Sequence, residues 1–176
     1  MILDHQSHIL ELSFGNIHIS TVGNELAQTL IIAFHGQNKQ SQNATIWKDL
    51  FDSLELQHKG AIKLVAVDLP GYGNSENHPE CAELFKNTEL TLSILDEIYE
   101  KITMTHNFTM KYLLGKSWGG ALSILYALKY PHKLDGIIVS APDLFSIVRA
   151  GRSFIGTIER EFKETLRPSF VDVGQG

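Results

Sequence analysis

Four short apolar runs, separated by stretches with helical spacing, constrain this chain more than any other feature. Thr29-Leu-Ile-Ile-Ala-Phe34 is continuously apolar, as expected of a strand buried on both faces, and Ile62-Lys-Leu-Val-Ala-Val67, Met110-Lys-Tyr-Leu-Leu114 and Ile137-Ile-Val139 read as three more buried strands. Ahead of them, two alternating stretches, 8–14 and 17–22, flank Gly15-Asn16 and predict an antiparallel hairpin turning there. Helices are expected over 46–56, over 80–101 with Leu84, Leu92, Leu95, Ile98 and Ile102 at helical spacing, and from Trp118 to about Tyr130, where Pro131 ends the run. Strand and helix in regular succession require crossover connections. The chain is therefore expected to be α/β, a mostly parallel sheet with helices on both faces and an N-terminal antiparallel hairpin.

Such sheets carry their sites at the carboxyl ends of the strands. In this chain those ends are His35-Gly36-Gln37, the turn-rich loop from Asp68 to Ser75, Ser117-Trp118 and Ala141-Pro142-Asp143. Residues 1–143 read as the core. Residues 144–176, with a helix expected over 155–166 and a loose end over 171–176, read as the start of a lid or an irregular tail.

With 176 residues, 43% of them hydrophobic, and a formal net charge of −5, the chain fits one soluble globular domain or part of a larger one. The mild acidity argues against nucleic-acid binding, which needs a basic face. No apolar run reaches membrane-spanning length. The single Cys81 cannot form an intrachain disulfide and the first residues lack a signal-peptide pattern, so a cytoplasmic setting is expected, and the sequons at Asn43 and Asn107 read as accidental. Neither a cofactor nor a metal is expected.

The chemistry concentrates in Gly115-Lys-Ser-Trp-Gly119, which follows an apolar strand and runs directly into a helix. A Ser on so abrupt a turn, with small residues either side, has its hydroxyl lifted clear of the backbone, which is the arrangement called a nucleophile elbow. Gly115-Lys116-Ser117 also matches the last positions of a phosphate-binding loop. That motif, however, needs a Gly where Met110 stands and a flexible loop where Lys111 to Leu114 read as strand. Gly71-Tyr72-Gly73 fails as a dinucleotide fingerprint because Glu76 takes the place of its third Gly.

These motifs together resemble the α/β-hydrolase family. His35-Gly36 resembles its oxyanion-loop signature, Asp68 to Ser75 its Gly-rich turn and Gly115 to Gly120 its elbow, while Tyr130-Pro131 and Ile137 to Pro142 resemble the segment after the elbow helix. The resemblance implies that Ser117 is the nucleophile and that the backbone N–H groups of Gln37 and Trp118 hold the oxyanion. It further implies that His35 braces the oxyanion loop, and that the partner is a small-molecule acyl substrate, an ester, thioester or amide. Trp118 also resembles proline-releasing aminopeptidases of this fold, from which Asp68-Leu-Pro-Gly71 departs.

One departure from the family matters most. The family's order is Ser, then Asp or Glu, then His. Asp143 can stand for the acid, but the only later His is His132, about 20 Å of helix away from Ser117 at 1.5 Å per residue. Apart from His35, read as bracing the oxyanion loop, His78 is the only upstream His expected near the rim. The expected function is thus a serine hydrolase crippled by a missing base through loss of its C-terminal part, with a non-catalytic binder that keeps the pocket as the alternative. An intact hydrolase given its base by another chain is a third reading.

Overall fold

The computed structural model describes residues 6–24, 26–38, 43–58, 61–77 and 87–143, and of residues 54–58 the backbone alone. Six strands form one sheet in the order β1-β2-β4-β3-β5-β6: β1 (Gln6–Leu12), β2 (Gly15–Val22), β3 (Thr29–Phe34), β4 (Ile62–Val67), β5 (Met110–Lys116) and β6 (Gly136–Ser140). The first two pair antiparallel, and β2 joins β4 antiparallel. From β4 through β3 and β5 to β6 every pairing is parallel. All four parallel strands therefore end on one rim, as the alternation of runs requires.

Side-chain alternation divides the core in two. On one face Ile17, Ile19, Leu30, Ile32, Phe34, Val65 and Val67 pack under α2 (Thr88–Thr103) and α3 (Trp118–Lys129). On the other, Val22, Ile31, Ala33, Leu64, Ala66 and Leu114 meet Ala44, Trp47 and Phe51, which belong to a 3-10 turn (Ala44–Trp47) and to α1 (Lys48–His58). Helix α2 begins at Asn87, whose side chain accepts the N–H of Leu90 and so satisfies one of the helix's unpaired donors. The portion of the expected helix over 80–86, Leu84 included, lies outside the described residues, as do the helix expected over 155–166 and the end at 171–176.

Two expectations are corrected. The hairpin turns at Ser13-Phe14, since Leu12 pairs with Gly15. Ser13 is pinned there by Glu97 of α2, which accepts its N–H at 2.6 Å and its hydroxyl at 2.5 Å, a tertiary tie that outweighs the turn preference of Gly15-Asn16. Secondly, β6 is a strand, yet Ile137, Ile138 and Val139 are 36%, 50% and 38% exposed, so it is not a buried one. It stands at the end of the sheet, with α3 crossing one side.

Burial predicts a sharp contrast in stability. Ile98→Ala, at a side chain shut from solvent, is expected to cost about 2 to 5 kcal/mol. Ile138→Ala is expected to cost no more than about 0.5 kcal/mol. Urea unfolding of the two variants checks this, and equal losses would contradict the assignment of inside and outside.

Candidate active site

At the end of β5 the backbone does something that a Ser rarely tolerates. Ser117 has φ 54° and ψ −117°, while α3 starts at the next residue. A positive φ in a residue with a side chain costs on the order of 1–3 kcal/mol and persists only where surrounding contacts enforce it. Those contacts come from three glycines. A Cβ on Gly115 would stand 2.3 Å from the carbonyl oxygen of Gly119, and one on Gly119 would stand 2.3 Å from that of Phe34. Around Gly120 the space is tighter than usual, 3.1 Å from Cβ of Pro142. Backbone hydrogen bonds complete the clamp: Ser117 N–H donates to Ser140 O, and Asp143 N–H donates to Ser117 O, each at 2.9 Å. Ser117 is left half-buried between exposed Lys116 and buried Trp118. Ala141, at the end of β6, is the only other described non-glycine residue with positive φ, at 43°.

The loop after β3 lies alongside. Phe34 pairs with Gly115 as the last pair of β3 with β5, so Gln37 and Trp118, each three residues further on, both follow strand ends on the same rim. His35 is fully buried, and both its ring nitrogens are engaged. Nε2 accepts the N–H of Leu69 at 3.0 Å, which leaves Nδ1 to donate to the carbonyl of Gly36 at 2.7 Å. Burial pushes its pKa below the usual 6.5, against smaller opposing effects of the Gly36 carbonyl and Asp68. Tyr72 packs on that imidazole, with ring centres 4.8 Å apart, and donates its hydroxyl to the carbonyl of Gln37 at 2.9 Å. Burial raises the Tyr72 pKa to about 12, so the phenol stays a donor at neutral pH.

Asp68 gathers the next segment. Its carboxylate accepts the N–H of Ala44 at 2.6 Å and of Asn74 at 2.9 Å, and the chain passes so close that a Cβ on Gly73, where φ is +51°, would stand 2.1 Å from Oδ2. The same Oδ2 meets Nδ1 of His18 at 2.9 Å. Sequence reading missed His18, because its only signal is a polar residue inside a strand, and its approach to Asp68 depends on the pairing of β2 with β4.

Ser117, Trp118, Gln37 and Asp143 thus share one rim, and His132 does not. His132 is exposed just beyond the far end of the 12-residue α3. His106 precedes the amino end of β5, His8 is on the outer strand β1, and His78 lies outside the described residues. No His/Cys/Asp/Glu group capable of holding a metal occurs among the described residues, and no helix there is long and apolar enough to cross a membrane.

Residues 29–172 match the family model described as alpha/beta hydrolase fold. A proline iminopeptidase of Chitinophaga pinensis is 28% identical over 126 residues, covering 70% of this chain and 39% of that protein. A pimeloyl-[acyl-carrier protein] methyl ester esterase of Edwardsiella ictaluri is 27% identical, covering 73% of this chain and 43% of its own length. The chain thus spans about two fifths of these relatives. Among solved structures, a predicted CIB-like hydrolase from Thermoplasma acidophilum superposes with a TM-score of 0.64 at 22% identity, over 80% of this chain and 64% of that one. The thioesterase domain from the curacin biosynthetic pathway does so with a TM-score of 0.58 at 19% identity, over 75% and 42%. At those identities the superpositions speak for the fold, and together with the match over residues 29–172 they make the chain a member of the α/β-hydrolase family.

Proposed function

We propose that this chain carries the nucleophile and oxyanion half of a serine acyl hydrolase, with Ser117 as nucleophile. The observation that carries the reading is the backbone of Ser117, held at φ 54° by close glycine contacts at the start of a helix. Strain of that kind costs stability, and it clusters where a reactive group is put on display. In the reaction, Ser117 Oγ attacks the acyl carbon and the negative charge moves to the carbonyl oxygen. In this reading the N–H groups of Trp118 and Gln37 are the donors that receive it, each worth about 3 to 4 kcal/mol at the transition state. The positive end of α3 adds to the same field. His35 and Tyr72 support this by fixing the carbonyls of Gly36 and Gln37, which orients the loop that bears one donor.

The names of these proteins span a proline iminopeptidase, a methyl ester esterase and a thioesterase, which matches the acyl class without choosing within it. The substrate is therefore proposed as a small-molecule ester, thioester or amide. Asp143 occupies the acid's place in chain order, beside the Ser117 carbonyl. Among the described residues no histidine is hydrogen-bonded to Ser117, and a serine hydrolase deprived of its base loses on the order of 10⁶ in turnover. The chain by itself is accordingly expected to acylate slowly.

Chemical rescue tests this. A fluorophosphonate probe is expected to modify Ser117, located by peptide mapping, and added imidazole is expected to speed that modification at least about tenfold, within the range a general base supplies. Ser117→Ala removes the adduct. Absence of a Ser117 adduct with imidazole present would sink the nucleophile and leave the non-catalytic binder.

His35 gives a pH prediction. Its folded pKa is depressed, so its contribution to stability is complete above the unfolded value of 6.5 and is lost as pH falls below 6.5 toward the folded pKa. The melting temperature is expected to drop between pH 7 and pH 5, and to drop less in His35→Asn. Parallel pH profiles for the two proteins would refute the assignment.

A further inference from the structure

A second serine in this chain has what Ser117 does not have among the described residues, a histidine on its hydroxyl. Ser7 stands on the outer strand β1, diagonal to His18 across the hairpin, since Ser7 pairs with Ser20 and Ile9 with His18. Its Oγ lies 2.6 Å from Nε2 of His18, and Nδ1 of His18 lies 2.9 Å from Oδ2 of Asp68. The three members differ in exposure: Ser7 is open to solvent, whereas His18 and Asp68 are 7% and 2% exposed.

The proton positions follow from the partners. Two backbone N–H groups, of Ala44 and Asn74, donate to the Asp68 carboxylate, so that carboxylate acts as an acceptor and Nδ1 of His18 carries the hydrogen. Nε2 is then the acceptor, and Ser7 donates to it. His18 is also held by its backbone, which donates to Ser75 Oγ at 2.8 Å, and that hydroxyl donates in turn to the Asp68 carbonyl at 2.5 Å. The imidazole is thereby fixed in both orientation and tautomer with its free lone pair on an exposed hydroxyl. That is the relation of orienting acid, base and nucleophile that activates a serine. Exposed Ile9, two residues along the same strand face, offers an apolar surface beside the hydroxyl.

We propose that Ser7, with His18 as its base and Asp68 as the positioning residue, is a second reactive serine that accepts acyl groups from small activated carboxylic esters. In the step, the bond from Ser7 Oγ to the acyl carbon forms as the bond to the leaving alkoxide or phenolate breaks. The hydroxyl proton passes to Nε2 of His18 and then to the leaving group, giving an acyl-Ser7 and a free alcohol. A fluorophosphonate reacts in the same sense, forming the Oγ–P bond with loss of fluoride. This site is independent of Ser117.

The test uses the full chain carrying Ser117→Ala, treated with a fluorophosphonate probe and followed by peptide mapping over time. The peptide containing Ser7 is expected to become modified, Ser7→Ala to abolish that adduct, and His18→Asn, which keeps a donor toward Asp68, to slow it by about 10²-fold. An unmodified Ser7, or a rate unchanged in His18→Asn, would overturn the proposal. Should His18→Asn fail to fold, ring-nitrogen NMR of the chain decides: a hydrogen on Nδ1, with an Nε2 signal that moves in Ser7→Ala, supports the relay. A hydrogen on Nε2 would overturn it.

Discussion

The rim of this protein depends on one close approach, that of the first turn of α3 to the ends of β3 and β5. Gly119 lies against the carbonyls of Phe34 and His35, and Gly115 against the carbonyl of Gly119, at separations where no Cβ fits. Nothing larger than hydrogen at these positions lets the helix start so near the sheet. Because the helix starts there, Ser117 must reverse the chain within one residue, and positive φ is the cost. The elbow is thus a consequence of packing: the glycines set the distance and the distance sets the strain.

The rest of the rim is organised by polar groups buried for the purpose. His35 bridges the Leu69 N–H and the Gly36 carbonyl, tying the loop after β3 to the loop after β4. Asp68 ties that second loop to the start of the 3-10 turn at Ala44 and to His18 of β2. Buried polar groups stabilise only when satisfied, and a partly satisfied set is worse than an apolar one, so these contacts specify one arrangement of loops more than they add net stability. The proposed oxyanion donors need that property, since donors for a developing charge help only if they are already in place.

Much of this was legible in the sequence, and the parts that were not have definable causes. Strands β3, β4 and β5 announce themselves because they are covered on both faces, which leaves runs such as Leu30-Ile-Ile-Ala-Phe34 with no alternation to misread. The elbow is visible because local sterics demand glycine at fixed spacing around Ser117. The hairpin turn at Ser13-Phe14 was hidden, since Glu97, 84 residues later, decides it. Ile137 to Val139 read as buried because composition reports apolarity, whereas exposure depends on what lies beside β6. His18 escaped notice for the same reason: its significance is the nearness of Asp68, 50 residues away, and only strand pairing creates it.

The central claim, that packing forces Ser117 into a conformation paid for in stability, is tested most directly by comparing Ser117→Gly with Ser117→Ala in urea unfolding. Glycine relieves a positive φ and alanine does not, so the account predicts that Ser117→Gly is the more stable by about 1 kcal/mol or more. In a relaxed turn the order reverses, because glycine then only adds freedom to the unfolded chain. An alanine variant as stable as the glycine variant, or more so, would contradict the account.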